Sequence, residues 1–181
     1  MTVYRTLAVL VLALMLGSTM VLMAADPPAA QPAAKGKIRI GTYDNRAVAV
    51  AYAPSRFNPV RQKMAEQEAA KRAGDQEKLK ALEAWGEQHQ RMLHVQGFCR
   101  VPVTDLLEPV SEKLHALAKE QNLAAIVMSC DVAAPDVELV DVSAQVVELF
   151  EPSAKTREMA QKVLGAKPAS LLDVAAAPAQ R

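Results

Sequence analysis

The chain has 181 residues, the length of one domain with appendages at both ends. Its formal net charge is +1 at pH 7, and the 20 acidic residues are matched by 20 basic ones once Arg5 is set aside. A balance this even excludes a nucleic-acid binder that works through a basic surface.

Residues 1–25 read as an export signal. Met1 to Arg5 is a short basic start, Leu7 to Met23 is apolar, and Ala24-Ala25 is a small-residue stop. Cleavage after Ala25 would put Met23 three positions back, and the apolar run is nearly long enough to span a bilayer. A retained anchor therefore stands as the alternative to cleavage; on either reading the body is periplasmic or otherwise exported. No cysteine follows the run to carry a lipid. Residues 26–36, DPPAAQPAAKG, form a Pro/Ala linker with too little apolar content to pack.

A single α+β domain is expected over residues 37–164. Lys37-Ile-Arg-Ile-Gly-Thr-Tyr predicts a first strand with Ile38 and Ile40 on one face. Asp44-Asn45 is a cap signal. The following Arg46 to Tyr52, RAVAVAY, suits a strand by its valines or a helix by its alanines, and the cap favours a helix. Pro54 and Pro59 bracket a break.

From Val60 to Gln96 the composition turns to Glu, Lys, Gln, Arg and Ala, interrupted at Gly74-Asp75, where Gly ends one helix and Asp caps the next. Leu79, Leu82, Trp85, His89, Met92 and Leu93 follow steps of three and four, an apolar stripe that needs a partner. Gly97 to Pro102 reads as a turn. Thr104-Asp105 opens a returning helix to Asn122, in which Pro109 is tolerated only near the start. The expectation is an antiparallel helical hairpin over about residues 60–121, projecting from the sheet.

Leu123 to Met128 and Val137 to Val140 predict two more strands around a loop, and Ser143 stands as the N-cap of a short helix that buries Val147 and Phe150. The expected core is Ile38, Ile40, Leu123, Ile126, Val127, Val137, Leu139, Val147 and Phe150. Between Gln121 and Ala154 there is no Lys or Arg, and the acids there, Asp131, Asp136, Glu138, Asp141, Glu148 and Glu151, are expected to complement Lys35, Lys37, Arg39 and Arg46 around the first strand. A last helix runs from Pro152 to about Leu164 and ends at Gly165. Residues 165–181 are an Ala/Pro-rich tail, expected to be disordered.

No catalytic constellation stands out, so no enzyme and no cofactor are expected. His89, His94, His115, Cys99 and Cys130 lack metal-ligand spacing. Asp131, Asp136 and Asp141 lack the glycine and terminal Glu of a calcium loop. Cys99 and Cys130 are an even pair in an exported chain, so a disulfide is conceivable, but only if the turn at Gly97 lies close to the second strand. Leu79, Leu82, Trp85, Met92 and Leu93 are candidates for contact with a client protein or another subunit; packing within the core is the plainer reading of the same spacing.

The strand ending in Tyr43-Asp44, the Lys/Glu/Gln-rich hairpin, and the run from Glu112 to Phe150 together resemble the OmpH/Skp-like periplasmic chaperone family. Ala118-Lys-Glu-Gln-Asn-Leu-Ala-Ala-Ile-Val and Val140-Asp-Val-Ser-Ala-Gln-Val-Val carry the resemblance, which covers roughly residues 37–150. It implies a small three-stranded sheet closed by both ends of the chain, a coiled-coil-like hairpin arm and a homotrimer. By the same resemblance the partners would be unfolded envelope or outer-membrane proteins. The arm here is short, broken at Gly74 and near charge balance, whereas the family's arms are strongly basic, and RAVAVAY is not a feature of the family pattern. A membrane-tethered interaction module without chaperone activity is the competing expectation.

Overall fold

The computed structural model describes residues 36–176. The expected export signal, nearly all of the linker, and residues 177–181 of the tail lie outside the described residues. Strand β1 (Ile38–Thr42) is the centre of a three-stranded sheet, flanked by β2 (Ala125–Val127) and β3 (Val137–Asp141) in the order β2-β1-β3. Both pairings are parallel, with Ile40 opposite Ala125 on one side and Leu139 on the other. Parallel neighbours need a long crossover, and nearly all the helical chain between β1 and β2 supplies it. The expected mixed α+β class and a sheet built from both ends of the chain are both observed.

Side chains alternate faces along a strand, and the sheet uses the face opposite to the one its isoleucines suggest. Gly41, Ile126 and Val140 turn toward the core. Ile38, Ile40, Val127, Val137 and Leu139 lie on the outer face, with Ile38 49% and Leu139 44% exposed. Five of the nine expected core residues are therefore not core. The complementary charges do meet, as a single Arg39–Glu138 pair at 3.5 Å.

The true centre is helix α1 (Asn45–Tyr52), in which every residue but Val50 is buried. Asp44 caps it, accepting from the Arg46 N–H at 2.9 Å. Small Ala and Val side chains on all sides let neighbours approach from every direction, as a fully buried helix requires.

Helices α2 (Val60–Ala73) and α3 (Gln76–Phe98) form the hairpin. Its reversal is at Gly74, in the left-handed region at φ 67°, followed at once by Asp75, whose carboxylate caps Lys78 N. A C-cap and an N-cap on consecutive residues leave no room for the chain to continue in the same direction. The expected hairpin over 60–121 is thus corrected: the outgoing arm folds on itself at Gly74, not at Gly97. The segment after Pro102 does not form one returning helix. It divides into α4 (Thr104–Leu107), a 3-10 turn at Glu108–Val110 around Pro109, and α5 (Ser111–Glu120), which packs by β2.

Helix α6 (Ser143–Glu148) follows β3 and buries Val146, Val147 and, just beyond, Phe150. Ser143 is not its N-cap. Val142 holds that position with no side-chain cap, Asp141 Oδ1 accepts from Ser143 N at 2.9 Å, and Ser143 Oγ accepts from the buried Asp44 N–H at 2.9 Å. Helix α7 (Ala154–Leu164) is capped by Ser153 and packs on α1. The expected disordered tail is structured through residue 176. Ala166 O accepts from Arg46 Nη1 at 2.9 Å, Ala169 N donates to Phe98 O at 2.9 Å, and α8 (Leu171–Ala176) lies by α3.

Candidate functional site

The hairpin is where apolar side chains gather without being covered. Ala70 is the one buried residue of α2 and Gln96 the one of α3. Between the two helices runs an open cleft of 710 Å³, lined on one side by Val60, Lys63, Met64 and Gln67 and on the other by Leu82, Trp85, Gly86, His89, Leu93 and His94. Gly86 helps shape it by leaving open space where a side chain would stand. Met64, 60% exposed, is its most mobile-natured wall, since an unbranched thioether adapts to irregular surfaces.

Trp85 is the pivot. His89 stacks on it at 4.8 Å between ring centroids and 14° between planes, and Lys63, paired with Glu66 at 3.0 Å, sits 5.9 Å from the indole centre. His89 Nε2 lies 3.0 Å from Asn58 Oδ1. That oxygen also accepts from Val60 N, while the Asn58 amide nitrogen donates to Ala53 O. The arrangement fixes the proton on Nε2 and leaves Nδ1 as an acceptor. Burial lowers the His89 pKa, with Asp105 opposing, so the ring is neutral near pH 7.

Beside the cleft and sharing Trp85, His89 and Leu93 with it is a smaller, partly open cavity of 180 Å³, also lined by Tyr52, Pro59, Met92, Gln96, Asp105 and Leu106. Gln96 Nε2 donates to Asp105 Oδ1 at 2.9 Å, while Gln96 Oε1, fully buried, has no donor among the described residues. Asn45 braces the floor from α1, its amide nitrogen donating to Gln96 O and Cys99 O at 3.0 and 2.8 Å.

Of the residues singled out from the sequence, Leu82, Trp85 and Leu93 meet in the cleft, and Met92 joins Trp85 and Leu93 in the smaller cavity. Leu79 lines neither. The α2 wall was missed, although Val60 and Met64 stand four apart, one helical step. Cys99 and Cys130 are both free thiols: Cys99 is buried under the C-terminal segment, bridged to Ala169, and Cys130 donates to Val132 O in the β2–β3 loop. No disulfide joins them. Burial, reinforced by the Asp173 charge, raises the Cys99 pKa, which makes the thiol a poor nucleophile.

Beneath the site, Asp44 and Arg46 form a buried ion pair at 2.6 Å. Burial alone would push the Asp44 carboxyl up, but the Arg46 hydrogen bonds and the charges of Arg46 and Arg100 outweigh it and hold it below the ordinary carboxylate range. With Arg46 Nη1 donating to Ala166 O, the pair ties the start of α1 to the C-terminal segment.

Among the described residues no cluster of His, Cys, Asp and Glu is placed to hold a metal ion, and no helix is long and apolar enough to cross a membrane. Comparison with known protein families, with characterised proteins and with solved structures returns no match for this chain.

Proposed function

We propose that the protein is an exported, non-enzymatic holdase-like chaperone or envelope scaffold of the OmpH/Skp-like kind, which binds apolar segments of unfolded or partner proteins. The observation that carries this reading is the open cleft on the α2–α3 hairpin, walled by Met64, Leu82, Trp85 and Leu93. An uncovered apolar concavity of this size on an otherwise polar hairpin is the feature that marks interaction sites. Self-association fits the same reading. The outer face of the sheet, with Ile38, Ile40, Val137 and Leu139, presents an apolar strip that a second copy of the chain would cover; a trimer is the stoichiometry the resemblance implies.

The test is dilution of a urea-unfolded outer-membrane β-barrel protein into buffer with and without this protein, followed by light scattering. Suppression of aggregation at near-stoichiometric ratios is expected, and its loss in a Met64→Ser/Trp85→Ser variant. No suppression at any ratio would end the chaperone reading. Size-exclusion chromatography with light scattering tests the assembly, for which Leu139→Glu should yield monomers.

A further inference from the structure

We infer that the hairpin cleft takes an amphipathic helix with a basic polar face, which crosses α3 closely at Gly86. The inference rests on the reading of the cleft as a polypeptide site and adds the conformation and charge of what is bound. The conformation follows from the walls. Met64 and Gln67 lie inside α2, and Leu82 to His94 inside α3, where backbone groups bond within their own helix. Such walls offer no N–H or C=O to an extended strand, which would lay its polar backbone unpaired against apolar side chains. A helix brings its backbone bonds with it and offers one apolar face. The α3 wall from Leu82 to His94 is about 18 Å long at about 1.5 Å per residue, room for about three turns of such a helix.

Gly86 marks the point of closest approach. It stands in the middle of α3 on the cleft side, where glycine weakens a helix relative to alanine. Its backbone is not in the left-handed region, and no atom of the fold lies within 4 Å of the place a Cβ would take. Neither conformation nor internal packing therefore calls for glycine here. A second helix does, because the distance between two helix axes is set by the side chains at their contact. The charge of the lining completes the description. Glu83 and Glu87 lie one turn apart on either side of Gly86, and neither is ion-paired among the described residues. Lys63, the one Lys or Arg of the lining, is already paired with Glu66. Like charges four residues apart disfavour a helix, and lysines or arginines on the incoming helix relieve them while fixing its orientation.

Trp85 is the only tryptophan in the chain and stands in the cleft wall, so its fluorescence reports occupancy by tryptophan-free peptides. Three are titrated into the intact protein: an amphipathic peptide of about three turns with leucines at helical spacing and lysines on its polar face, the same peptide with one central proline, and the same peptide with glutamates for the lysines. The first should shift Trp85 emission and gain helical circular dichroism on binding. The proline peptide should bind at least about tenfold more weakly. The glutamate peptide should bind about three- to tenfold more weakly, a gap that added salt narrows. Gly86→Ala should raise Tm by about 2–4 °C while weakening the lysine peptide severalfold, a combination that a glycine required only by the fold would not give. Undiminished binding to Gly86→Ala would overturn the close crossing. Equal binding of the proline peptide would overturn the helical occupant, and equal binding of the glutamate peptide its basic face, each leaving the cleft as a polypeptide site. No response of Trp85 to any of the three would overturn both the inference and the reading beneath it.

Discussion

Replacing Asp44 by Asn is the sharpest probe of how the fold is held. The two side chains of the Asp44–Arg46 pair are almost wholly removed from water, the residues being 7% and 3% exposed. Arg46 reaches the carboxylate through its backbone N–H at 2.9 Å, Nε at 3.0 Å and Nη2 at 2.6 Å, and spends Nη1 on Ala166 O. Asparagine is as good an N-cap as aspartate, so Asp44→Asn keeps the cap on α1 and removes only the charge. What remains is a buried guanidinium whose one close counter-charge is gone, a situation that costs about 3–5 kcal/mol. Arg100, 3.7 Å from Asp44 and half-exposed, repelled Arg46 before the change and still does, so it supplies no relief. Against a total stability of about 5–15 kcal/mol, the loss is a large share. Urea unfolding followed by circular dichroism measures it. Asp44→Ala should be worse by about a further 1 kcal/mol because the cap goes too, and Asp44→Asn/Arg46→Met should recover part of the loss, since no charge is left stranded. An Asp44→Asn protein within about 1 kcal/mol of the parent would show that the pair is solvated and that α1 is not the buried centre described.

Gly41→Ala should destabilise by about 1–3 kcal/mol, because its Cβ would stand 2.8 Å from Leu123 Cδ1 and 3.1 Å from Val142 Cγ2; Leu123→Val in the same chain should restore part of the loss in a thermal melt. Ser143→Ala strands the buried Asp44 N–H and should cost about 1–3 kcal/mol. Phe150→Ala empties the space between Tyr52 and Phe57, each 6.1 Å away edge-on, for about 3–5 kcal/mol, both read by denaturant midpoints. His89 gives stability a pH dependence: its folded pKa is lowered, so its contribution is complete above the unfolded value of about 6.5 and is lost as pH falls through the lower folded value. Urea midpoints should drop from about pH 7 to about pH 5, less steeply in His89→Gln.

Strand positions, the Asp44 cap, the Gly74 break and the burial of Phe150 could all be read along the chain, because each is signalled by residues within a few positions of itself. The face of the sheet could not. Period-two alternation shows that Ile38 and Ile40 share a side but not that the core lies on the side of Gly41, where close approach by Leu123 and Val142 leaves no room for a side chain. Helix α1 was legible as a helix and illegible as the centre, since Ala-Val-Ala-Val suits burial from any direction. At the site, Trp85, Leu82 and Leu93 came from helical spacing, while the α2 wall depended on knowing where the chain reverses. Ser143 illustrates the same limit: its chemistry as an acceptor was evident, but its donor lies 99 residues away.

The central position of β1 has a consequence for the order in which the chain can fold. Its hydrogen-bonding neighbours begin at Ala125 and Val137, and Arg46 finds its last partner at Ala166. Closing loops of that length precedes any reward from the sheet, which makes for slow, non-local folding. The α2–α3 hairpin also packs its two helices against each other within residues 60–98, a short-range contact that can form ahead of the sheet. A chain emerging N-terminus first would therefore display its apolar cleft before it owns a core.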